Sequence, residues 1–262
     1  MENLSKAYLE HNIFKQLLEY SEFYKNLSFS IMKFISTGTG SLINIDTYFY
    51  SSVQGTLESI NLILSKGRIN DSYSLLRKYY DSTIINIYTN LFLQDNFSVD
   101  NLIVTQIENW RKGVKSIPEY RVISRYIKES PKLNAITELL QKDKTYKNIR
   151  DRCNDHAHYN FYYNLLLNDN QLFYTNRISS LDIFLNDLDA IFIQHIAYIF
   201  YLNDHYMMST YYIESLEAGL KPEEESQYDV ESFVQNIFDK IIKTKRPDIA
   251  KVIKEHTSMQ LN

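Results

Sequence analysis

Apolar residues recur along this chain at three-, four- and five-residue steps, the spacing that puts them on one face of an α-helix. Between residues 4 and 35 the line runs through Leu4, Ile13, Leu17, Phe23, Leu27 and Phe34 and predicts one long helix or two in tandem. Ser36 to Gly40, two glycines among hydroxyl residues, ends it as a flexible turn. That turn lacks the Lys and the preceding strand of a phosphate loop. A second helix is predicted from Asp46 to Lys66, with Gly67 at a C-terminal cap position. Asp71 is the expected N-cap of a third helix through about Phe92. The second and third helices form a hairpin across the short turn Gly67 to Asn70.

Further along, residues 99 to 112 predict an amphipathic helix with the single Trp110. Pro118 and Pro131 bracket a short helix over 119 to 129, both at first-turn positions, and another short helix follows to about Lys142. Thr145 is the expected cap of the next one. Asn168 to Asn170 reads as a turn, and Leu172 to Tyr174 as extended chain able to pair with 161 to 167. Ser179 or Ser180 opens a long helix to about Glu217, broken by Gly219, Pro222 and Glu223 to Glu225. A helix pair over 229 to 243 and 247 to 256 completes the pattern. With only six Gly and four Pro, the chain has too few turn residues for a β-rich fold. The expectation is an all-α bundle of long antiparallel helices with extra short ones. It comprises one domain over 1 to 220 and a C-terminal helical extension over 221 to 262.

Composition narrows the function classes. At 262 residues, 44% hydrophobic and 23% charged, the chain can build a core without disulfide or metal staples. A single cysteine, Cys153, excludes an internal disulfide and a Cys-based zinc cluster and fits a reducing compartment. The net charge of −4 argues against a nucleic-acid binder that is basic all over, but leaves room for a local basic cleft. The most apolar run, Ala190 to Leu202, is interrupted by Gln194 and His195. It is shorter than the roughly 20 residues a membrane span needs, so a buried helix is expected. No basic-then-apolar signal opens the chain. The expected setting is the cytoplasm, without a membrane. The 22 Tyr reflect either composition bias or Tyr-lined grooves.

One stretch stands apart from this packing pattern. Arg150 to His158 holds two Arg, two Asp, one Asn, two His and the lone Cys. On a helix, Arg150, Asn154 and His158 fall at about 0°, 40° and 80°, one polar stripe. Arg152, Asp155 and His156 fall at about 200°, 140° and 240°, on the other side. Arg with His suits phosphoester cleavage without a metal. A neutral imidazole takes the proton of a ribose 2′-OH, and a guanidinium holds the phosphate and its extra charge. Asn orients either group. A metal held by His156, His158 and Asp155 is disfavoured, because two His two residues apart point about 200° from each other. No cofactor is expected. Arg77 and Asp81, four apart on the third predicted helix, make either a solvent-facing ion pair or an inward-pointing Arg77 aimed at the polar stretch.

An Arg followed four to six residues later by His, near the start of a late helix in an all-helical chain, resembles the HEPN superfamily (higher eukaryotes and prokaryotes nucleotide-binding). The chain offers two such pairings, Arg150 with His156 and Arg152 with His158, and a longer one, Arg150 with His158. Asp151 supplies the polar residue usual after the Arg in the first pairing. The Ala157-His158 ending with Tyr159-Asn160 looks more like the family's His. The segment from Ser59 to Gly67, then Asp71 to Asp81 with Leu75-Leu76-Arg77, is similar to the helical hairpin of bacterial members. The resemblance covers about residues 45 to 205 and leaves the pairing open. It implies a helical bundle, a homodimer whose Arg/His faces meet, and metal-independent RNA cleavage. Under it His158 is the proton-transfer group with His156 as rival, Arg150 and Arg152 contact phosphate, Asn154 orients, and Arg77 binds substrate. It also implies a toxin–antitoxin or anti-phage setting with an antitoxin or regulatory partner, or a non-catalytic dimerisation module.

Overall fold

The computed structural model describes residues 4–32, 43–168 and 177–262. The described residues are 76% helical, and the only extended pairings among them are isolated bridges such as Met208 with Val230. The all-α expectation holds. The first long apolar pattern divides into α1 (Lys6–Leu9) and α2 (Asn12–Met32). The expected turn at Ser36 to Gly40 and the extended stretch Leu172 to Tyr174 lie outside the described residues. Residues expected to pair with the latter instead form the short helix α9 (Tyr162–Leu166).

Helices α2, α3 (Ile43–Ser65) and α4 (Ile69–Asn96) pack as consecutive neighbours, and α10 (Arg177–Leu202) lies against α4 and α2. The α3–α4 hairpin turns at Gly67, whose φ of 74° is open to glycine at little cost. There the Gly67 N–H donates to the Leu64 carbonyl at 2.8 Å and the Arg68 N–H to the Ile63 carbonyl at 3.2 Å. This pair of bonds is the Schellman ending. Asp71 is not the N-cap of α4; it sits in the first turn. The cap comes from a residue 97 positions away. Asn168 Oδ1 accepts from the Asp71 N–H at 3.3 Å and from the Asn70 N–H at 3.1 Å, while its Nδ2 donates to Asp71 Oδ1 at 2.7 Å.

Four shorter helices cross the bundle: α5 (Thr105–Arg111), α6 (Tyr120–Glu129), α7 (Asn134–Leu140) and α8 (Thr145–Ala157). Pro131 opens a 3₁₀ turn as expected, but Pro118 lies two residues ahead of α6, outside its first turn. Thr145 is the first residue of α8 rather than its cap; Asp143 Oδ1 accepts the Thr145 N–H at 2.8 Å instead.

The helix expected to reach Glu217 stops at Leu202. Asn203 is buried and its side chain is pulled into the core. Its Nδ2 donates to Asn90 Oδ1 at 2.6 Å, and its Oδ1 accepts from Gln94 Nε2 at 3.0 Å. Its backbone leaves the helical region at φ −135°, ψ 50°, which ends the helix. A 3₁₀ turn and α11 (Tyr211–Glu217) follow. Helix α10 has the length and hydropathy of a membrane-crossing helix, but 78% of its apolar window is buried within the protein. It is the central core helix.

The C-terminal segment carries α12 (Ser232–Ile237), a π turn, α13 (Lys243–Lys245) and α14 (Pro247–His256). Val234, Phe238, Ile242, Ile249 and Ile253 are fully buried in the same core as the bundle. Phe233 meets Phe23 of α2 edge to face at 5.6 Å. This segment closes one side of the bundle.

Candidate functional site

Helix α8 is amphipathic about an unusual buried face: Ile149, Cys153 and His156. Burial pushes the Cys153 thiol up to about 12, so it is a packed, unreactive group. His156 stacks on Tyr73 of α4 with ring centroids 3.8 Å apart and planes 8° apart, and its Nδ1–H donates to Asn70 Oδ1 at 2.7 Å. Burial, reinforced by the nearby Arg152 guanidinium, pushes His156 down to about 4. It is a neutral structural imidazole that fastens α8 to the start of α4.

The two faces read from the sequence have different fates. On the far side, Arg152 is committed to Asp187 of α10, through Nε to Oδ2 at 2.8 Å and a longer Nη2 contact at 3.4 Å. Asp187 is 7% exposed and burial raises its carboxyl despite the guanidinium. Asp155 is also committed. Its carboxylate accepts from Asn160 Nδ2 at 2.8 Å, and its carbonyl accepts from Asn164 Nδ2 at 2.9 Å and the Asn160 N–H at 3.0 Å. These bonds shape the turn after α8.

On the near side, Arg77 points inward. Its Nε donates to Asp81 Oδ2 at 2.8 Å and its Nη1 to Asn154 Oδ1 at 2.8 Å. Of the two Arg77 readings, the inward one is realised, and Asp81 still pairs with it. His158 lies one turn beyond Asn154, about 6 Å along the axis. It caps α8, and its side chain is exposed. The next residue, Tyr159, has φ 49°, the left-handed conformation that non-glycine residues seldom adopt. Tyr159 N–H donates to the His156 carbonyl at 3.3 Å, closing the helix sharply behind His158. Strain of this kind clusters at functional sites.

Arg150 does not join His158. The two residues stand about 12 Å apart along the helix. The Arg150 guanidinium carbon lies over the ring of Tyr120, 3.3 Å from its centroid, and the Nε is buried without a hydrogen bond. The predicted stripe therefore divides: Arg77 is bonded to Asn154, His158 is exposed one turn further on, and Arg150 lies separately at the opposite end of α8. The open Arg/His pairings also separate. His156 is buried; Arg152 is held by an acid; His158 is exposed.

Comparison with protein-family models, curated proteins and solved structures gave no match.

Around Arg150 lies a cleft of about 560 Å³ between α4, α6, α8 and α10. Lys128, Lys147 and Arg150 stand on its wall, and Arg121 and Arg125 flank Arg150 in the adjoining groove. None of these five cations is in an ion pair among the described residues. The acids nearby are Asp143, spent on capping α8, Asp151 on the rim, and Glu129 in the groove. Among the described residues, no three His, Cys, Asp or Glu side chains gather in a metal-binding group. Several members of these sites carry no sequence signal. Asn70, Tyr73, Tyr120 and Asp187 occupy ordinary helix positions, and only interhelical packing reveals them.

The other buried histidine, His195 of α10, belongs to a core network. Tyr24 OH donates to its Nδ1 at 2.7 Å, and its Nε2–H donates to Asn86 Oδ1 at 2.9 Å. Asn86 and Asn90 donate to Asp46 Oδ1 at 2.6 and 2.8 Å, and Tyr206 OH donates to Oδ2 at 2.8 Å. Burial raises Asp46 to about 6 and lowers His195 to about 3. The network is closed to solvent and satisfied, which suits a positional role rather than catalysis.

Proposed function

We propose that this chain is a metal-independent endoribonuclease of HEPN type, acting as a cytoplasmic homodimer in a toxin–antitoxin or anti-phage setting under an antitoxin or regulatory protein. The observation that carries the reading is His158, exposed at the end of α8 one turn from an Asn154 that Arg77 holds. In the proposed step, His158 takes the proton from a ribose 2′-OH. The oxygen then attacks the adjacent phosphorus and the P–O5′ bond breaks, generating a 2′,3′-cyclic phosphate, while the leaving 5′-oxygen takes a proton from water. Arg77 retains Nη2 for the charge that builds on the phosphate. Arg150 and its neighbouring cations contact the strand further along. Arg152 and His156 hold α8 in place.

A second observation favours the interaction reading alongside the first. Directly after His158, Tyr159, Phe161, Tyr162, Tyr163 and Leu165 are 40–75% exposed. Exposed apolar clusters of this kind mark contact surfaces, and a second copy seated here would bring two His158 side chains into one region. Incubating the protein with total RNA in EDTA tests the proposal. Cleavage that resists EDTA and is lost in His158→Ala supports it. A stable dimer without cleavage would leave the dimerisation-module reading.

A further inference from the structure

Helix α11 is built inside out. A helix on a protein surface ordinarily turns its apolar residues inward. In α11 the buried residue is Ser215, while Ile213 and Leu216 face solvent. The end of the helix extends the same stripe. The Gly219 N–H, at φ 70°, donates to the Leu216 carbonyl at 3.0 Å, and the Leu220 N–H donates to the Ser215 carbonyl at 2.8 Å. This Schellman ending keeps Leu220 at the helix end rather than leading the chain away. Ile213, Leu216 and Leu220 are 46–64% exposed, and their three- and four-residue steps make one apolar ridge.

The ridge sits in a fixed acidic frame. Residues 211 to 229 hold six exposed acids, Glu214, Glu217, Glu223, Glu224, Glu225 and Asp229, against the single Lys221, a larger excess than the net −4 of the whole chain. The acidic run leads into a 3₁₀ turn (Ser226–Tyr228) that packs against α11. Buried Ser226 donates through Oγ to the Glu223 carbonyl at 2.8 Å. The Ser209 N–H donates to the Asp229 carbonyl at 2.7 Å, and the Gln260 N–H to the Tyr228 carbonyl at 2.9 Å. The surface is therefore preformed, and its charge selects the occupant. Six carboxylates repel the phosphates of a nucleic acid and an anionic lipid leaflet. Two copies meeting through this same face would set like charges against each other.

We propose that this surface docks a basic amphipathic helix of a partner protein. Its apolar side chains would cover Ile213, Leu216 and Leu220, and its Lys or Arg side chains would meet the surrounding carboxylates. The proposal does not rest on the RNA-cleavage reading.

The probe is a synthetic Leu/Lys amphipathic peptide, titrated against full-length protein by fluorescence anisotropy. Two comparison peptides replace every Lys by Glu, or every Leu by Ser. The Leu/Lys peptide should bind at least about 10-fold more tightly than either, and should weaken as salt rises from about 0.1 to about 1 M. Leu216→Ser with Leu220→Ser should weaken it at least about 10-fold, with the circular dichroism spectrum unchanged because both side chains are exposed. Glu217→Gln with Glu223→Gln and Glu224→Gln should weaken it too and flatten the salt dependence. No binding of the Leu/Lys peptide, binding that neither variant weakens, or equal binding of the Leu/Glu peptide overturns the proposal. So does self-association in sedimentation that the leucine variant abolishes, which would assign the surface to a second copy.

Discussion

Acidification should test the division of labour between the two histidines of α8. His156 is held near 4 in the fold against an ordinary value of 6.5, because burial disfavours the imidazolium and Arg152 adds repulsion. A depressed folded value contributes stability above the unfolded value, and that stability is lost as pH falls from about 6.5 through about 4. The full span is worth about 3 kcal/mol. Between pH 7 and 5 the loss is about 2 kcal/mol, because at pH 5 the unfolded His is nearly all protonated while the folded one is mostly neutral. Other groups titrate in the same range. His195, lowered to about 3, acts in the same sense, whereas Asp46, raised to about 6, gains stability on acidification. The informative quantity is therefore a difference between variants. In His156→Gln the bond to Asn70 can be replaced by the amide, but nothing at this position titrates. The variant should be less stable at pH 7, having lost the ring stacked on Tyr73. Between pH 7 and 5 it should lose about 2 kcal/mol less than wild type. Urea unfolding at the two pH values measures this directly. Equal pH slopes in the two proteins would mean that His156 reaches solvent, and the assignment of His158 rather than His156 to proton transfer would fall with it.

His158→Ala should lower RNA cleavage at least about 100-fold, the usual worth of a general base, with urea-unfolding stability within about 0.5 kcal/mol of wild type because the side chain is exposed. His156→Gln should keep cleavage at pH 7 at near wild-type rate, measured on the same RNA. Asn154→Ala removes the acceptor of Arg77 Nη1 and should cost about 1–2 kcal/mol of stability and slow cleavage as well. Arg152→Ala leaves the buried Asp187 without its cation; with Arg152 itself 38% exposed, a loss of about 2 kcal/mol is expected, between the values for exposed and buried pairs. That loss should shrink as pH falls and Asp187 takes up a proton, which unfolding at pH 5 would show.

Helical periodicity was enough to read the fold class and most helix positions, because an amphipathic helix writes its buried stripe into local spacing. It also picked out Arg150 to His158, since no packing pattern calls for so many polar groups in about two and a half turns of helix. Where local signals failed, distant residues had intervened. Asn168 caps α4 in place of Asp71, and Asn203, bonded to Asn90, ends α10 some fifteen residues before the pattern did. The sequence also placed Arg150, Asn154 and His158 on one stripe, which is correct for the helix in isolation. Only the tertiary structure decided what each group faces. Helix α4, packed along α8, buries His156 on Tyr73 and brings Arg77 to Asn154. Helix α10 takes Arg152 through Asp187, and α6 draws Arg150 away onto Tyr120. A helical wheel gives angles about an axis. Burial and charge pairing, which separate a structural histidine from an exposed one, depend on neighbours that the local sequence does not contain.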